Sequence, residues 1–224
     1  MKYKWILFDA DDTLFHFDAF KGLALMFSRF EVQFTENDYN TYQQKNKPLW
    51  VDYQNGKITA KQLQNRRFEL WSAKLSLSTQ KLNSAFLIAM ADISYLLPGA
   101  IDLLEYLSSR AQLGIITNGF AELQKIRLEK LKVDHHFSTL VISEEVGIAK
   151  PDTAIFNHAF KQMDNVDKSR ILMVGDNIHS DIQGGINAGI NTCWLNANSN
   201  EKPDNITPNY QITHLSELKG IVTK

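Results

Sequence analysis

The sequence has one cysteine and no long apolar run, and each scarcity excludes a class of protein. With Cys193 as its only cysteine, the 224-residue chain cannot form an internal disulfide framework, which suits a reducing compartment. No apolar stretch approaches the roughly 18 residues that span a membrane. The short apolar run near the start is too brief for the hydrophobic part of a secretory signal. We therefore expect a cytoplasmic protein without a membrane partner.

An excess of charge of either sign is also missing. The 24 Lys and Arg residues nearly balance the 25 Asp and Glu residues, leaving a formal net charge of -1. This balance argues against a large basic surface for a nucleic acid polymer or an anionic lipid. Hydrophobic residues make up 44% of the chain, enough for a core that needs neither disulfides nor a structural metal. The sequence carries no signal for the oligomeric state.

Glycine and proline are scarce in the first 95 residues, which favours helices over sheet there. Apolar residues between Phe20 and Phe30 recur at three- and four-residue steps and predict a helix with one apolar face. Thr59 with Gln62 resembles a capping box that opens a second helix, and Ser78 can cap a third. Only three glycine or proline residues interrupt this region: Gly22, Pro48 and Gly56.

From Pro98 onward, short apolar runs alternate with helical stretches of about ten residues, the pattern of strands buried on both faces of a parallel sheet. The sequence therefore predicts an α/β fold with a Rossmann-like parallel-sheet core, helices on both faces and an inserted helical domain. The core comprises residues 1–14 and 96–224, and the insertion residues 15–95. The predicted strands are residues 5–8, 113–116, 140–142, 171–174 and 192–195.

Polar residues follow the predicted strands, at the sheet edge where ligands of open α/β sheets bind. They form four groups, which together supply several carboxylates, an ammonium and a hydroxyl. The groups are Asp9 to Thr13, Thr117 with Asn118, Lys150, and Asp176 with Asp181.

These four groups resemble the motifs of the haloacid dehalogenase-like phosphatases in kind, order and spacing. The segments are ILFDADDTL, IITNG, IAKPD and VGDNIHSD. The insertion after the first motif resembles the family's helical cap. More narrowly, the chain resembles bacterial house-cleaning pyrimidine 5'-nucleotidases, and this resemblance alone implies a pyrimidine preference.

The resemblance and the chemistry together assign candidate roles. Asp9 is the predicted nucleophile, which forms an aspartyl-phosphate, and Asp11 the general acid and base. Thr117, Asn118 and Lys150 are the predicted phosphate-binding residues. The predicted metal ligands are Asp9, Asp11 (through its backbone carbonyl, as the family implies) and Asp176, with Asp181 ligating or orienting a bound water.

A phosphate monoester is a dianion, so an attacking carboxylate needs a cation that screens the repulsion. Mg²⁺ prefers oxygen ligands and is usually held by one or two carboxylates plus phosphate, although Mn²⁺ or another hard divalent cation would also fit. Asp11 favours phosphate esters over carbon–halogen bonds, because an alkoxide leaving group benefits from a proton whereas halide does not. Asp12, adjacent to both, is interpreted as a turn residue.

The insertion must supply discrimination between substrates, and four aromatic residues are candidates. Phe15 and Phe17 follow the first motif directly, whereas Trp50 and Tyr53 are expected between helical stretches. A flat nucleobase could stack on such rings, which favours a nucleoside 5'-monophosphate as substrate.

Two other functions stay open at this point. A sugar-phosphate phosphatase or a phosphomutase would use the same first half-reaction. A non-catalytic regulator that binds a phosphate ligand could share the fold, although no residue missing from the motifs favours it.

Overall fold

The computed structural model describes residues 1–163 and 166–223. Six parallel strands form one sheet in the order β3-β2-β1-β4-β5-β6. The five predicted strands are confirmed within one residue at each end, and a short sixth strand extends the edge beside β5. The strands are β1 Trp5–Phe8, β2 Gln112–Thr117, β3 Thr139–Ile142, β4 Ile171–Gly175, β5 Asn191–Leu195 and β6 Tyr210–Ile212.

Strand β1 lies at the centre of the functional edge. It pairs with β2 on one side and with β4 on the other, so that Trp5 lies opposite both Gln112 and Ile171. All four residues of β1 are buried, as expected for a strand covered on both faces. The chain order reverses at this strand, and polar residues that leave β1, β2 and β4 therefore meet at one edge.

Helices form much of the rest of the described chain. A π-helical turn, Ile178–Ile182, precedes α10. The α-helices are α1 Ala19–Ser28, α2 Glu36–Gln54, α3 Ala60–Arg66, α4 Glu69–Leu75, α5 Thr79–Ile93, α6 Ala100–Ser108, α7 Ala121–Leu131, α8 Ser143–Val146, α9 Thr153–Phe160, α10 Gln183–Ala188 and α11 Leu218–Val222.

The chain divides into two compact units. The sheet unit comprises Met1–His16, Tyr95–Gly119 and the described residues from Leu131 onward. The helical unit comprises Phe17–Ser94 and Phe120–Lys130. Residues 120–130, assigned to the core from the sequence, group with the helical unit.

Contacts at both ends of the 120–130 segment account for this grouping. The Phe120 ring centroid lies 5.3 Å from that of Trp50. The Lys130 ammonium donates hydrogen bonds to the carbonyl oxygens of Ala91 and Asp92, at 3.0 and 2.7 Å. The segment is therefore anchored within the helical unit.

Helix α2 corrects the sequence interpretation, which placed Trp50 and Tyr53 between helical stretches. Both lie inside this 19-residue helix, which continues through Pro48. Proline removes one N–H from a helix, so the carbonyl four residues earlier loses its partner. Because Pro48 and Gln44 are both exposed, water can satisfy that carbonyl.

The predicted capping residues are confirmed. The Thr59 hydroxyl accepts from the Gln62 N–H, while the Gln62 side chain accepts from the Thr59 N–H. Ser78 accepts from the Lys81 N–H at 3.2 Å and opens α5. The helix that Thr59 caps, α3, ends at Arg66, and α4 follows as a separate helix. Among the described residues, no helix combines the length and apolarity needed to cross a membrane.

Candidate active site

The ends of three strands bring the predicted site residues together. Asp9 directly follows β1, Thr117 ends β2 and Asp176 directly follows β4. The Asp9 N–H donates to the Val174 carbonyl at 2.9 Å, which continues the ladder between β1 and β4 by one residue. The sheet thus fixes the backbone on which the side chains of the site are mounted.

Three carboxylates and one ammonium form the centre of the site, which we call the acidic cluster. Asp9, Asp176 and Asp181 each offer a carboxylate oxygen, and these oxygens lie within 4.8 Å of one another. The Lys150 ammonium contacts Asp9 at 2.5 Å and Asp181 at 2.8 Å. It also donates to the Ile116 carbonyl at 2.6 Å, and its side chain is only 1% exposed.

The electrostatics of the cluster leave it short of positive charge. Burial raises the pKa of Asp9 to about 7; Lys150 opposes this rise, and Asp181 and Asp11 add to it. The pKa of Asp176 is raised to about 8, mainly by burial and to a smaller extent by repulsion from Asp181 and Asp9. Burial opposes the charge on Lys150, but Asp181 and Asp9 outweigh it and raise the pKa of the ammonium. One ammonium therefore does not balance three carboxylates, and a divalent cation would favour their ionised forms.

The donor set fits a hard divalent cation such as Mg²⁺. The ligand atoms of the acidic cluster are all carboxylate oxygens, from Asp9, Asp176 and Asp181. Magnesium sites in proteins commonly use one or two carboxylates and leave other positions to water and phosphate. The buried cluster meets that description.

Asp181 is held in place by three donors. The Asn177 N–H donates to Oδ2 at 3.0 Å, and the Ser180 hydroxyl donates to Oδ1 at 2.9 Å. The third donor is Lys150. With both oxygens engaged by the protein, Asp181 is better placed to orient Lys150 or a bound water than to serve as a main ligand.

Gly175 permits this close approach of Asp181. A Cβ at position 175 would lie 2.2 Å from Asp181 Oδ2, inside the van der Waals limit. In the Gly175–Asp176 pair at the end of β4, the glycine therefore leaves room for Asp181, and the aspartate supplies a carboxylate to the acidic cluster.

We expect Gly175→Ala to lower kcat about 10-fold or more and the free energy of unfolding by about 1–3 kcal/mol, because the extra methyl group must displace Asp181. Gly220→Ala is the matched control, since a Cβ there meets no atom within 4 Å. Steady-state rates and thermal melts of both variants check this expectation. Wild-type kcat in Gly175→Ala would show that Asp181 tolerates displacement.

Thr13 and Asp176 bind each other reciprocally, a feature that the sequence analysis did not assign. The Thr13 hydroxyl donates to Asp176 Oδ1 at 3.1 Å and accepts from the Asp176 N–H at 3.0 Å. The Trp194 indole donates to the Asp176 carbonyl at 2.7 Å. The motif DADDT contains Thr13 and so carried the signal for it, whereas the sequence carried none for Trp194.

The side chain of Asn118 holds the backbone of Lys150 through two hydrogen bonds. Its Nδ2 donates to the Lys150 carbonyl at 2.9 Å, and its Oδ1 accepts from the Lys150 N–H at 2.7 Å. Thr117 is 2% exposed, and its hydroxyl oxygen accepts from the Gly119 N–H at 3.0 Å. The Thr117 O–H remains available as a donor to a phosphate oxygen.

The four aromatic candidates differ in accessibility. Phe15 is fully buried in the sheet unit and bridges to Asp11 and Leu96, so its ring belongs to the core and offers no stacking surface. Tyr53 is 5% exposed, whereas Phe17 and Trp50 are half-buried. Of the four, only Phe17 and Trp50 keep part of the ring accessible.

Comparison with known proteins agrees with this geometry. The family described as haloacid dehalogenase-like hydrolase matches residues 3–189. The chain is 54% identical to the pyrimidine 5'-nucleotidase YjjG of Escherichia coli (strain K12), over 100% of both chains. It is 34% identical to the pyrimidine 5'-nucleotidase PynA of Streptococcus pneumoniae, over 100% of this chain and 97% of that protein. A crystal structure of the Bacillus subtilis HAD-hydrolase YfnB, bound to magnesium and described as revealing interdomain movement, matches with a TM-score of 0.84 and 29% identity over 100% of both chains.

Proposed function

This chain belongs to the haloacid dehalogenase-like hydrolase family, and we propose that it hydrolyses pyrimidine nucleoside 5'-monophosphates to nucleoside and phosphate with Mg²⁺ as cofactor. The observation that carries the proposal is the acidic cluster, in which Lys150 contacts Asp9 beside Asp176. Such a cluster suits attack on a phosphate dianion. Two curated relatives matched over nearly their full length are pyrimidine 5'-nucleotidases, which supports the substrate class.

In the first half-reaction, an Asp9 carboxylate oxygen attacks phosphorus. The bond between phosphorus and the 5'-oxygen of the nucleoside breaks, and Asp11 gives its proton to that oxygen. The products of this step are the free nucleoside and a phosphoryl group bound to Asp9. Asp11 lies two residues after Asp9, in the loop at the end of β1.

In the second half-reaction, Asp11 takes a proton from water, and the water oxygen attacks the same phosphorus. The bond between phosphorus and the Asp9 oxygen breaks, which releases inorganic phosphate and restores both carboxyl groups. Phosphoryl transfer of this kind depends mainly on positioning and on electrostatic stabilisation of the equatorial oxygens. Lys150 and the Thr117 hydroxyl supply the positive charge and the donor for those oxygens.

Asp9, Asp176 and the backbone carbonyl of Asp11 would hold the Mg²⁺ ion, with Asp181 orienting its surroundings. When bound, the ion withdraws charge from the phosphoryl oxygens and screens them from the Asp9 carboxylate. The all-oxygen donor set and the raised pKa values of Asp9 and Asp176 support this assignment.

The helical unit would recognise the nucleoside through an aromatic surface. Trp50 is half-buried, and its ring is fixed by Phe120 and by Tyr53, whose centroids lie 5.3 and 5.8 Å away. A ring held in this way can stack on a base without losing further side-chain entropy. Phe17 is the second half-buried candidate.

A cytoplasmic location is part of the proposal. The only cysteine, Cys193, is a buried free thiol, and burial raises its pKa to about 12. A thiol of that kind is inert and needs no oxidising compartment.

A panel of monophosphates tests the function. We expect released phosphate, at the highest kcat/KM, from uridine, thymidine and cytidine 5'-monophosphates, with purine nucleotides and ribose 5-phosphate hydrolysed more slowly. Sugar phosphates hydrolysed far faster than any nucleotide would contradict the substrate assignment. An isomerised sugar phosphate without released phosphate would identify a mutase instead.

Chelation is the second arm of this test. EDTA should abolish turnover and added Mg²⁺ should restore it, because the cluster lacks sufficient positive charge of its own. Turnover that is indifferent to EDTA would contradict the cofactor assignment while leaving the substrate class open to the panel.

A further inference from the structure

Asn46 carries a buried side-chain acceptor that no described residue satisfies. The residue lies in α2, one helical turn before Trp50, and is 8% exposed. Its Oδ1 has no hydrogen-bond donor within the described parts of the chain. Its Nδ2 lies 3.5 Å from Gln43 Oε1, a weak hydrogen bond at best. A buried acceptor without a donor costs about 1–3 kcal/mol, so such atoms call for an explanation.

The other unsatisfied side-chain atom in the described residues is Gln124 Nε2, and its surroundings differ. Gln124 is fully buried, and its Oε1 accepts from Arg127 Nε and Nη2 at 3.1 and 2.7 Å. Its amide group is thus fixed within the packed interior. Asn46 instead lies one helical turn before Trp50, a half-buried residue.

Asn46 and the half-buried ring of Trp50 are close along the same helix. Residues four apart on a helix share one face, so Asn46 and Trp50 are neighbours along α2. Phe120 packs against Trp50 and is three residues beyond Thr117 in the chain, directly after the predicted phosphate-binding loop. A stacking ring and an unsatisfied acceptor therefore lie side by side on one helix.

We propose that Asn46 recognises the hydrogen-bonding edge of the pyrimidine base, an inference that rests on the proposed function. Its Oδ1 accepts the N3–H of uracil or thymine, or an N4–H of cytosine, while the base stacks on Trp50. The amide NH₂ group faces the adjacent carbonyl oxygen or ring nitrogen of the base. A carboxamide presents a donor and an acceptor in either orientation, so one residue serves all three bases.

The test removes the donor on the base and the acceptor on Asn46 separately. Substrates are uridine 5'-monophosphate and its N3-methyl analogue, which lacks the N3–H; enzymes are the wild type and Asn46→Leu. We expect the wild type to hydrolyse the methylated nucleotide with a kcat/KM about 10- to 100-fold lower, as when a buried acceptor is left unpaired. Asn46→Leu should hydrolyse both nucleotides at similar, reduced rates.

Two controls separate recognition from structure. Asn40→Leu changes an exposed asparagine of the same helix and should keep the wild-type discrimination. Hydrolysis of p-nitrophenyl phosphate, which has no base, should be equal in the wild type and in Asn46→Leu. Loss of that activity in a folded Asn46→Leu protein would assign Asn46 a structural role and overturn the proposal.

The remaining outcomes are also decisive. Equal hydrolysis of the two nucleotides by the wild type, or unchanged discrimination in Asn46→Leu, would overturn the role of Asn46 but leave the nucleotidase function standing. Equal hydrolysis by the wild type needs no variant, and it overturns the role of Asn46 even if Asn46→Leu fails to fold. Negligible wild-type turnover of uridine 5'-monophosphate would remove the proposed function, and the role of Asn46 with it.

Discussion

Asp9→Asn is expected to abolish turnover while the protein stays folded. The substitution replaces the attacking carboxylate with an amide of nearly the same size, which cannot form the phosphoryl-enzyme. Loss of a covalent nucleophile in other enzymes costs about 10⁴-fold or more in kcat, and we expect a loss of that order. Steady-state rates on a pyrimidine 5'-monophosphate at saturating Mg²⁺ measure it directly.

The fold should survive because Lys150 keeps its contact with Asp181 at 2.8 Å when the charge at position 9 is removed. Repulsion between Asp9 and the other buried carboxylates also disappears. A thermal melt should therefore show little loss of stability. Turnover within a few-fold of the wild type would refute the assignment of Asp9 as nucleophile.

Asp12→Asn is the matched control for this variant. Asp12 lies in the same loop, is exposed, and has a φ of 54°, a left-handed conformation that asparagine tolerates well. The same chemical change three residues away should leave kcat within a few-fold of wild type. An equal collapse in both variants would indicate that the loop had been disrupted instead.

Lys150→Met is expected to weaken both the fold and the catalysis. The ammonium contacts two carboxylates and is 1% exposed, so its removal leaves buried negative charges without a counter-ion. Breaking a buried ion pair from one side costs about 3–5 kcal/mol. For a chain of this size, that lowers Tm by roughly 6–20 °C.

Thermal melts measure the stability effect, and phosphate release measures the catalytic one. Lys168→Met is the control, since the Lys168 ammonium is exposed and donates at 2.8 Å to a carbonyl, that of Ala188. It should change stability by about 1 kcal/mol or less. A Lys150→Met protein that melts with the wild type would show that the acidic cluster does not depend on this ammonium for stability.

The sheet could be predicted from sequence because its strands are continuous apolar runs bounded by polar residues. Five strands were located within one residue, and the rule for open α/β sheets indicated which polar residues meet at their ends. Strand β6 (Tyr210–Ile212) was missed because three residues carry too little pattern to recognise.

The errors in the helical unit have a common physical origin. Trp50 and Tyr53 were expected between helical stretches, yet α2 continues through Pro48, because water readily compensates one lost hydrogen bond on an exposed helix face. Residues 120–130 joined the helical unit through contacts of Phe120 and Lys130, which no local pattern reveals. Tertiary contacts decided both cases.

The sequence was a better guide to which residues lie together at the end of the sheet than to the contacts that each of them makes. Asn118 was expected to bind phosphate and that stays a prediction, but the sequence did not reveal that its side chain also holds the backbone of Lys150. Thr13 was present in the first motif without a role, and its reciprocal bonds with Asp176 emerge only in three dimensions. Motif spacing predicts which residues lie close together, whereas the hydrogen bonds between them depend on side-chain geometry.

The two hydrogen bonds from the Asn118 side chain to the N–H and the carbonyl of Lys150 have a thermodynamic consequence for ligand affinity. A lysine that becomes ordered on binding loses about 1.5–2 kcal/mol of rotamer entropy. Folding has already immobilised Lys150 at its backbone and at its ammonium. Binding of a phosphoryl group therefore causes no further loss of rotamer entropy at this lysine. The affinity of this site for a phosphoryl group should therefore exceed, by about 10-fold or more, the affinity of a site whose lysine is mobile before binding.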